Sequence, residues 1–104
     1  MNPKLLSLLG IAERAGKLHP GFSRCSNAVK SAKAYGVILC SDLSAKSQKE
    51  VRFLCDKYRV PLWTPGITIE ELSAAIGFKA GVCAVCDPGF AQRAADLITQ
   101  AMEG

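Results

Sequence analysis

Residues 35–42, which read YGVILCSD, form the stretch that decides the fold. Residues 35–40 are apolar at consecutive positions rather than alternately, and Ser41 and Asp42 end the run. A short run of this kind is typical of a strand that is covered on both faces of its sheet, because both rows of side chains are then kept from water. The stretch therefore predicts a sheet that lies between two layers of helices.

Five helices are predicted around this strand from apolar residues that recur at helical spacing. Two helices precede the strand, over 3–15 and 22–32, and three follow it. The predicted starts are marked by capping residues: Asn2 before Pro3, Ser44 or Ser47, Thr68 with Glu71 three residues later, and Asp87 before Pro88.

Two more strands are predicted at 60–64 and 82–86, with a possible antiparallel edge strand near Leu18. Strands that are separated by helices of ten or more residues favour parallel neighbours joined by right-handed crossovers. The expected fold is therefore an α/β, three-layer α/β/α sandwich with a mostly parallel central sheet of three to four strands. Residues 1–104 are expected to form a single domain.

Composition supports a globular chain: 49% of the 104 residues are hydrophobic and 21% are charged. The apolar runs are far shorter than the roughly 18 residues that a membrane span requires. The five cysteines are odd in number and stand mostly among apolar neighbours, which favours free buried thiols in a reducing compartment over a disulfide framework. We therefore expect a cytoplasmic protein.

Cys83 and Cys86 have the C-x-x-C spacing of redox and zinc sites. They fall in a predicted strand, where positions three apart point to opposite faces, so a structural role is favoured over a redox enzyme or a metal site. His19 is the only histidine and stands in a connector without a nucleophile motif beside it. No glycine-rich nucleotide fingerprint is present. We predict no catalytic residue, no metal and no cofactor.

The net charge of +4 is unevenly distributed along the chain. Residues 1–60 hold 11 of the 13 Lys and Arg but only 4 of the 9 acids. Such a surplus either solvates helix exteriors or attracts an anionic partner such as a nucleic acid.

Several stretches together make the chain resemble a known family: LLGIAERAGKL at 8–18, Gly21, VILCSD at 37–42, VPL at 60–62 and ELSAAIG at 71–77. The chain resembles the kink-turn-binding ribosomal protein family of the L-seven-Ae type, and within it the small bacterial YlxQ-like branch. The resemblance implies the same α/β/α sandwich and binding of structured RNA without catalysis.

The resemblance also implies a site at the start of the second helix, where the family pattern is Gly-x-Asn-Glu-x-x-Lys. Gly21 matches this pattern, whereas Ser23, Arg24 and Asn27 replace its three polar residues. Arg24 donates hydrogen bonds only, so it suits phosphate or the O6 and N7 acceptors of guanine. The RNA-binding residues implied in this way are Lys17, Gly21, Ser23, Arg24, Asn27, Lys30, Ser41, Asp42, Ile76, Gly77, Phe78, Lys79 and Ala80.

The sequence therefore predicts a non-catalytic protein that binds kink-turn or bulged RNA, ribosomal or otherwise non-coding, in association with the ribosome or translation. We expect a monomer that does not bind membranes. The alternative is a protein-interaction module that keeps the fold but has lost RNA specificity at Ser23, Arg24 and Asn27. An enzyme based on Cys83 and Cys86 ranks third.

Overall fold

A computed structural model describes residues 2–103, with side chains through residue 100. The helices are α1 (Pro3–Arg14), α2 (Phe22–Lys30), α3 (Ala45–Tyr58), α4 (Ile69–Ile76) and α5 (Pro88–Glu103). The strands are β1 (Leu18–Pro20), β2 (Gly36–Leu39), β3 (Leu62–Trp63) and β4 (Val82–Val85). In the described part of the chain, none of these helices combines the length and the apolar character needed to cross a bilayer.

The predicted capping residues are confirmed. Asn2 caps α1, and Ser44 rather than Ser47 caps α3. Thr68 and Glu71 form the full capping box of α4, in which each residue accepts a hydrogen bond from the other's backbone N–H. The Asp87 carboxylate accepts from the N–H of Phe90, at 3.0 Å, in the first turn of α5.

The strands are shorter than predicted, and α2 ends at Lys30 rather than at residue 32. Ala32 has a φ of 60°, in the left-handed region, so the helix cannot continue through it. The N–H of Lys33 closes this end of α2 by donating to the carbonyl of Ala28 at 2.9 Å.

The sheet has the order β1-β4-β2-β3 and is mixed. β2 and β3 are parallel, as predicted, and the edge strand near Leu18 is present as β1, antiparallel to β4. The expectation of a mostly parallel sheet is wrong for β4, which runs antiparallel to β2.

The direction of β4 follows from the position of α4. The Asp42 carboxylate, just past the end of β2, accepts from the N–H of Ile69 in the first turn of α4, and the N–H of Cys40 donates to the carbonyl of Gly81 just before β4. α4 therefore starts, and the chain re-enters the sheet, at the same edge. With eight residues it spans only about 12 Å. β4 consequently begins beside the end of β2 and runs antiparallel to it.

Two apolar clusters on opposite faces of the sheet confirm the three-layer sandwich. Ile38 and Cys83 point to one face, where they pack with residues of α1, α4 and α5. Val37 and Ala84 point to the other, where they pack with residues of α2 and α3. The alternation of strand side chains thus lets each strand of the centre contribute to both cores.

Candidate functional site

Several chain segments meet where β1 and β2 end and β4 begins. The N–H of Gly21, which follows β1, donates to the carbonyl of Val82 at 2.8 Å. The N–H of Cys40, which follows β2, donates to the carbonyl of Gly81 at 3.0 Å. We call this end of the sheet the Gly21 edge. It brings together the start of α2, the residues after β2 and the loop between α4 and β4.

The start of α2 is the one helix start in residues 2–103 without a side-chain cap. Gly21 occupies the N-cap position with φ 91° and ψ 151°, a conformation that L residues with a side chain rarely adopt. The first helical bond runs from the N–H of Cys25 to the carbonyl of Gly21. The N–H groups of residues 22–24 therefore have no partner within the helix and point toward the Gly21 edge, where they can bind an anion.

Polar side chains extend from this start along α2. Ser23, Asn27 and Lys30 are exposed and occupy positions i, i+4 and i+7, which lie on one face of a helix. Arg24 is also exposed, whereas Cys25 is buried beneath them. Ser23, Arg24 and Asn27 are thus free to meet a ligand at the Gly21 edge.

The loop between α4 and β4 presents an aromatic ring and a cation at the same edge. Gly77 ends α4 in the left-handed region, with φ 91°, and the loop is held by a 3.1 Å hydrogen bond from the N–H of Ala80 to Ser73 Oγ. Phe78 is 42% exposed, so it is not a core residue, and Lys79 is also exposed. Ile76 and Ala80 are buried, so only their main chain is available to a ligand.

Ser41 and Asp42 lie at this edge but have structural partners. Ser41 donates from both its N–H (2.9 Å) and its Oγ (3.2 Å) to the carbonyl of Ile67. Asp42 Oδ1 accepts from the N–H of Ile69 at 2.8 Å. The two residues therefore join the end of β2 to the start of α4, a connection between distant residues that the sequence alone did not indicate.

Lys17 and Lys30 lie away from the Gly21 edge. Lys17 precedes β1, and its carbonyl accepts from the N–H of Cys86 past the far end of β4. Lys30 is the last residue of α2, about 13 Å along the helix axis from Gly21. Contact of these two lysines with RNA remains a prediction that needs a ligand extending along α2.

Phe22 was missed among the predicted site residues. It is the first residue of α2, directly after Gly21, and it is 46% exposed. The signal in the sequence is an aromatic residue at a helix start, next to three polar residues. With Phe78, it gives the Gly21 edge two exposed aromatic rings.

Comparison with known proteins places the chain in a family. Residues 3–95 match the model of the ribosomal protein L7Ae/L30e/S12e/Gadd45 family. The chain belongs to this family. It is 32% identical over 95 residues to the RNA-binding protein YlxQ of Enterococcus faecium, with 91% of each chain covered. It is 35% identical over 92 residues to the RNA-binding protein YlxQ of Bacillus subtilis (strain 168), covering 88% of this chain and 91% of that one.

Solved structures show the same fold. A Bacillus halodurans protein of unknown function is 36% identical and superposes with a TM-score of 0.86, covering 92% of this chain and 97% of its own. A Giardia lamblia 15.5 kDa RNA-binding protein is only 16% identical but superposes with a TM-score of 0.79, over 97% and 87% of the two chains. The L7Ae-type fold is thus kept at low sequence identity.

The cysteines of this family member pack in or against the two apolar cores. Cys83 packs in the core beside α1 and Cys86 against the core beside α2, so the C-x-x-C pair points to opposite faces as predicted. Burial raises the pKa of Cys83 well above its usual range, and burial also raises the pKa of Cys86. All five cysteines are free, and no group of three or more metal-ligating side chains occurs in the described residues. His19 is half-buried in β1.

Proposed function

We propose that this L7Ae-family protein binds structured RNA at the Gly21 edge, without catalysis, in the cytoplasm and in association with ribosomes or translation. The observation that carries the proposal is the uncapped start of α2, whose free N–H groups lie beside exposed polar side chains. A bent or bulged RNA exposes base edges and phosphates that a regular duplex hides, and these acceptors complement such donors. The names of the two YlxQ relatives support RNA as the ligand.

The side chains at this edge suit different parts of the RNA. The Arg24 guanidinium donates to phosphate or to the O6 and N7 acceptors of guanine. Ser23 and Asn27 both donate and accept, so they tolerate several base edges. The exposed rings of Phe22 and Phe78 can stack on unpaired bases, and Lys79 can pair with phosphate. This combination of side chains favours an RNA with a kink-turn or an internal loop over a continuous RNA duplex.

The replacement of the family's glutamate by Arg24 changes the expected base preference. A carboxylate accepts from the N1 and N2 donors of guanine, whereas a guanidinium only donates. We therefore propose that the preferred RNA presents acceptors at this point. Phosphate contacts should dominate the affinity, so binding should weaken steeply with salt.

The test is a titration of a kink-turn RNA and of a duplex of equal length across a salt series. The kink-turn RNA should bind more tightly than the duplex at every salt concentration. Equal affinities for the two RNAs would contradict the proposal that the protein prefers bent or bulged RNA. An Arg24→Glu, Lys30→Glu variant should abolish RNA binding; full RNA binding by this variant, with loss of a protein partner instead, would favour the interaction-module alternative.

A further inference from the structure

The edge of the sheet opposite Gly21 also carries a cluster of exposed cations. Here the carbonyl of Lys17 accepts from the N–H of Cys86, and the N–H of Tyr35 donates to the carbonyl of Val85, each at 2.8 Å. The end of β4 is therefore flanked by the start of β1 on one side and by the segment between α2 and β2 on the other. We call the exposed residues Lys17, Lys30, Lys33 and Tyr35 the Lys17 edge.

Two of these lysines lie beside Cys86, the residue that follows β4. Lys33 follows the left-handed turn at Ala32, and its ammonium group partly offsets the rise that burial causes in the pKa of Cys86. The main-chain carbonyl of Lys17 accepts a hydrogen bond from the N–H of the same Cys86. Lys30 ends α2, and the Tyr35 side chain is 51% exposed.

Complementation of helix dipoles explains only part of this charge. Basic residues are favoured near helix C-termini, and α1 and α2 both end here. Two helix ends carry about −1 in total, since each carries about −0.5, whereas the three lysines carry three positive charges. Asp87, the acid that follows Cys86 and caps α5, adds one negative charge, which the positive N-terminus of α5 partly offsets. The edge therefore keeps a positive surplus that suits an anion.

α2 connects the two edges by a polar path. Ser23, Asn27 and Lys30 lie on one face of the helix, and the first of them is at the Gly21 edge while the last is at the Lys17 edge. The helix is about 13 Å long, which is enough to lie beside several nucleotides of a bound strand. A nucleic-acid strand that is held at Gly21 can therefore reach Lys17 and Lys33 by following α2.

We propose that the Lys17 edge is a second RNA-binding surface, which holds the backbone of the helix that flanks the RNA feature bound at the Gly21 edge. This inference rests on the proposed function and assigns different contributions to RNA binding to the two edges. Lys17, Lys30 and Lys33 pair with phosphates, and the Tyr35 hydroxyl donates to a phosphate or ribose oxygen. Because such contacts do not distinguish bases, the Lys17 edge contributes affinity and the Gly21 edge contributes selectivity.

The test compares a Lys17→Gln, Lys33→Gln variant with a control that loses the same charge elsewhere. The control is Lys4→Gln, Arg93→Gln, because both residues are exposed and border a groove between α1 and α5 on the other face of the sheet. Each protein is titrated across a salt series with two kink-turn RNAs and with a duplex as long as the longer of them. One RNA has a long flanking helix, and in the other this helix is trimmed to less than the length of α2.

With the long RNA, the Lys17→Gln, Lys33→Gln variant should bind roughly tenfold more weakly at low salt, and its salt slope should fall by about 2. Its preference for kink-turn over duplex RNA should not change. With the trimmed RNA, and with the control variant, affinity should stay near that of the wild type. A salt slope equal to that of the control would overturn the proposal, as would an equal loss with both RNAs. If the wild-type protein shows no preference for kink-turn RNA, the proposed function fails instead.

Discussion

At the scale of single residues, the Gly21 edge depends on a glycine that no other residue replaces without strain. Gly21 has φ 91° and ψ 151°, and a Cβ placed there would meet no atom within 4 Å. The cost of a side chain is therefore conformational rather than steric. This cost arises at the point where α2 exposes its free N–H groups.

We expect Gly21→Ala to lower the free energy of unfolding by about 1–3 kcal/mol, because alanine is strained in this part of φ/ψ space. Urea unfolding with an unchanged m-value would measure the loss. Ser23→Ala is the matched control, since Ser23 is exposed and makes no side-chain cap at this helix start. Equal stabilities of the two variants would contradict the account.

Phe22 and Phe78 are expected to contribute mainly to RNA binding, because about half of each residue is exposed. Replacing either ring by alanine should weaken binding of an RNA with unpaired bases by about 1–3 kcal/mol, the usual value of one stacked base. The control is Phe53→Ala on α3, where the ring is 71% exposed. If Phe53→Ala weakened RNA binding as much as Phe22→Ala, exposed rings would contribute to binding wherever they lie on the surface, which would contradict a specific role of the Gly21 edge.

At the scale of elements, Asp42 joins the end of β2 to α4. Asp42→Ala should lower the free energy of unfolding by about 0.5–2 kcal/mol, as the loss of a helix-capping acceptor does, whereas Asp42→Asn should keep most of the stability. Both variants remove a negative charge from the Gly21 edge, so both should bind RNA more tightly than the wild type. Thermal unfolding and an RNA titration check the two effects; weaker RNA binding by Asp42→Asn would assign the carboxylate a direct role in the RNA contact.

The elements also show what the sequence can and cannot predict. Asn2, Thr68 and Asp87 were identified as caps because their partners lie within three residues along the chain. The role of Asp42 was not identified, because its partner lies 27 residues away. The direction of β4 was missed for the same kind of reason, since it depends on where α4 packs rather than on the pattern of the strand itself.

The candidate site shows a similar division. The polar start of α2 and the Phe78 loop were predicted by resemblance, and the structure brings them to one edge. Lys17 and Lys30 are only 4 and 9 residues from Gly21 along the chain, yet the extended strand β1 and the helix α2 carry them to the opposite edge. Proximity in sequence therefore did not predict proximity in space.

At the scale of the whole molecule, the buried thiols make stability depend on pH. Burial raises the pKa of Cys25 from 9.0 to about 12, that of Cys40 to about 12 and that of Cys55 to about 11. Between pH 9 and 11 the folded protein keeps these protons and the unfolded chain loses them. Their contribution is therefore complete below pH 9 and is lost as the pH rises toward 12.

We expect the free energy of unfolding to fall above pH 9 by about 1.4 kcal/mol per pH unit for each such thiol. Urea unfolding at several pH values between 8 and 10.5 measures this slope, in the presence of a reductant. A Cys25→Ala variant should be less stable at neutral pH. Its slope above pH 9 should be smaller by about 1.4 kcal/mol per pH unit, because it has one buried thiol fewer. A flat profile up to pH 10.5 would contradict the burial of the thiols.

The whole molecule has two edges with different electrostatics: helix N–H donors and few cations at Gly21, and side-chain cations at Lys17. The most direct test of the account is the change in backbone amide NMR shifts when a kink-turn RNA is added. Residues 22–24 and 78–79 should show the largest changes, and residues 17, 30, 33 and 35 should show smaller ones. Changes confined to α1 and α5, on the other face of the sheet, would contradict it.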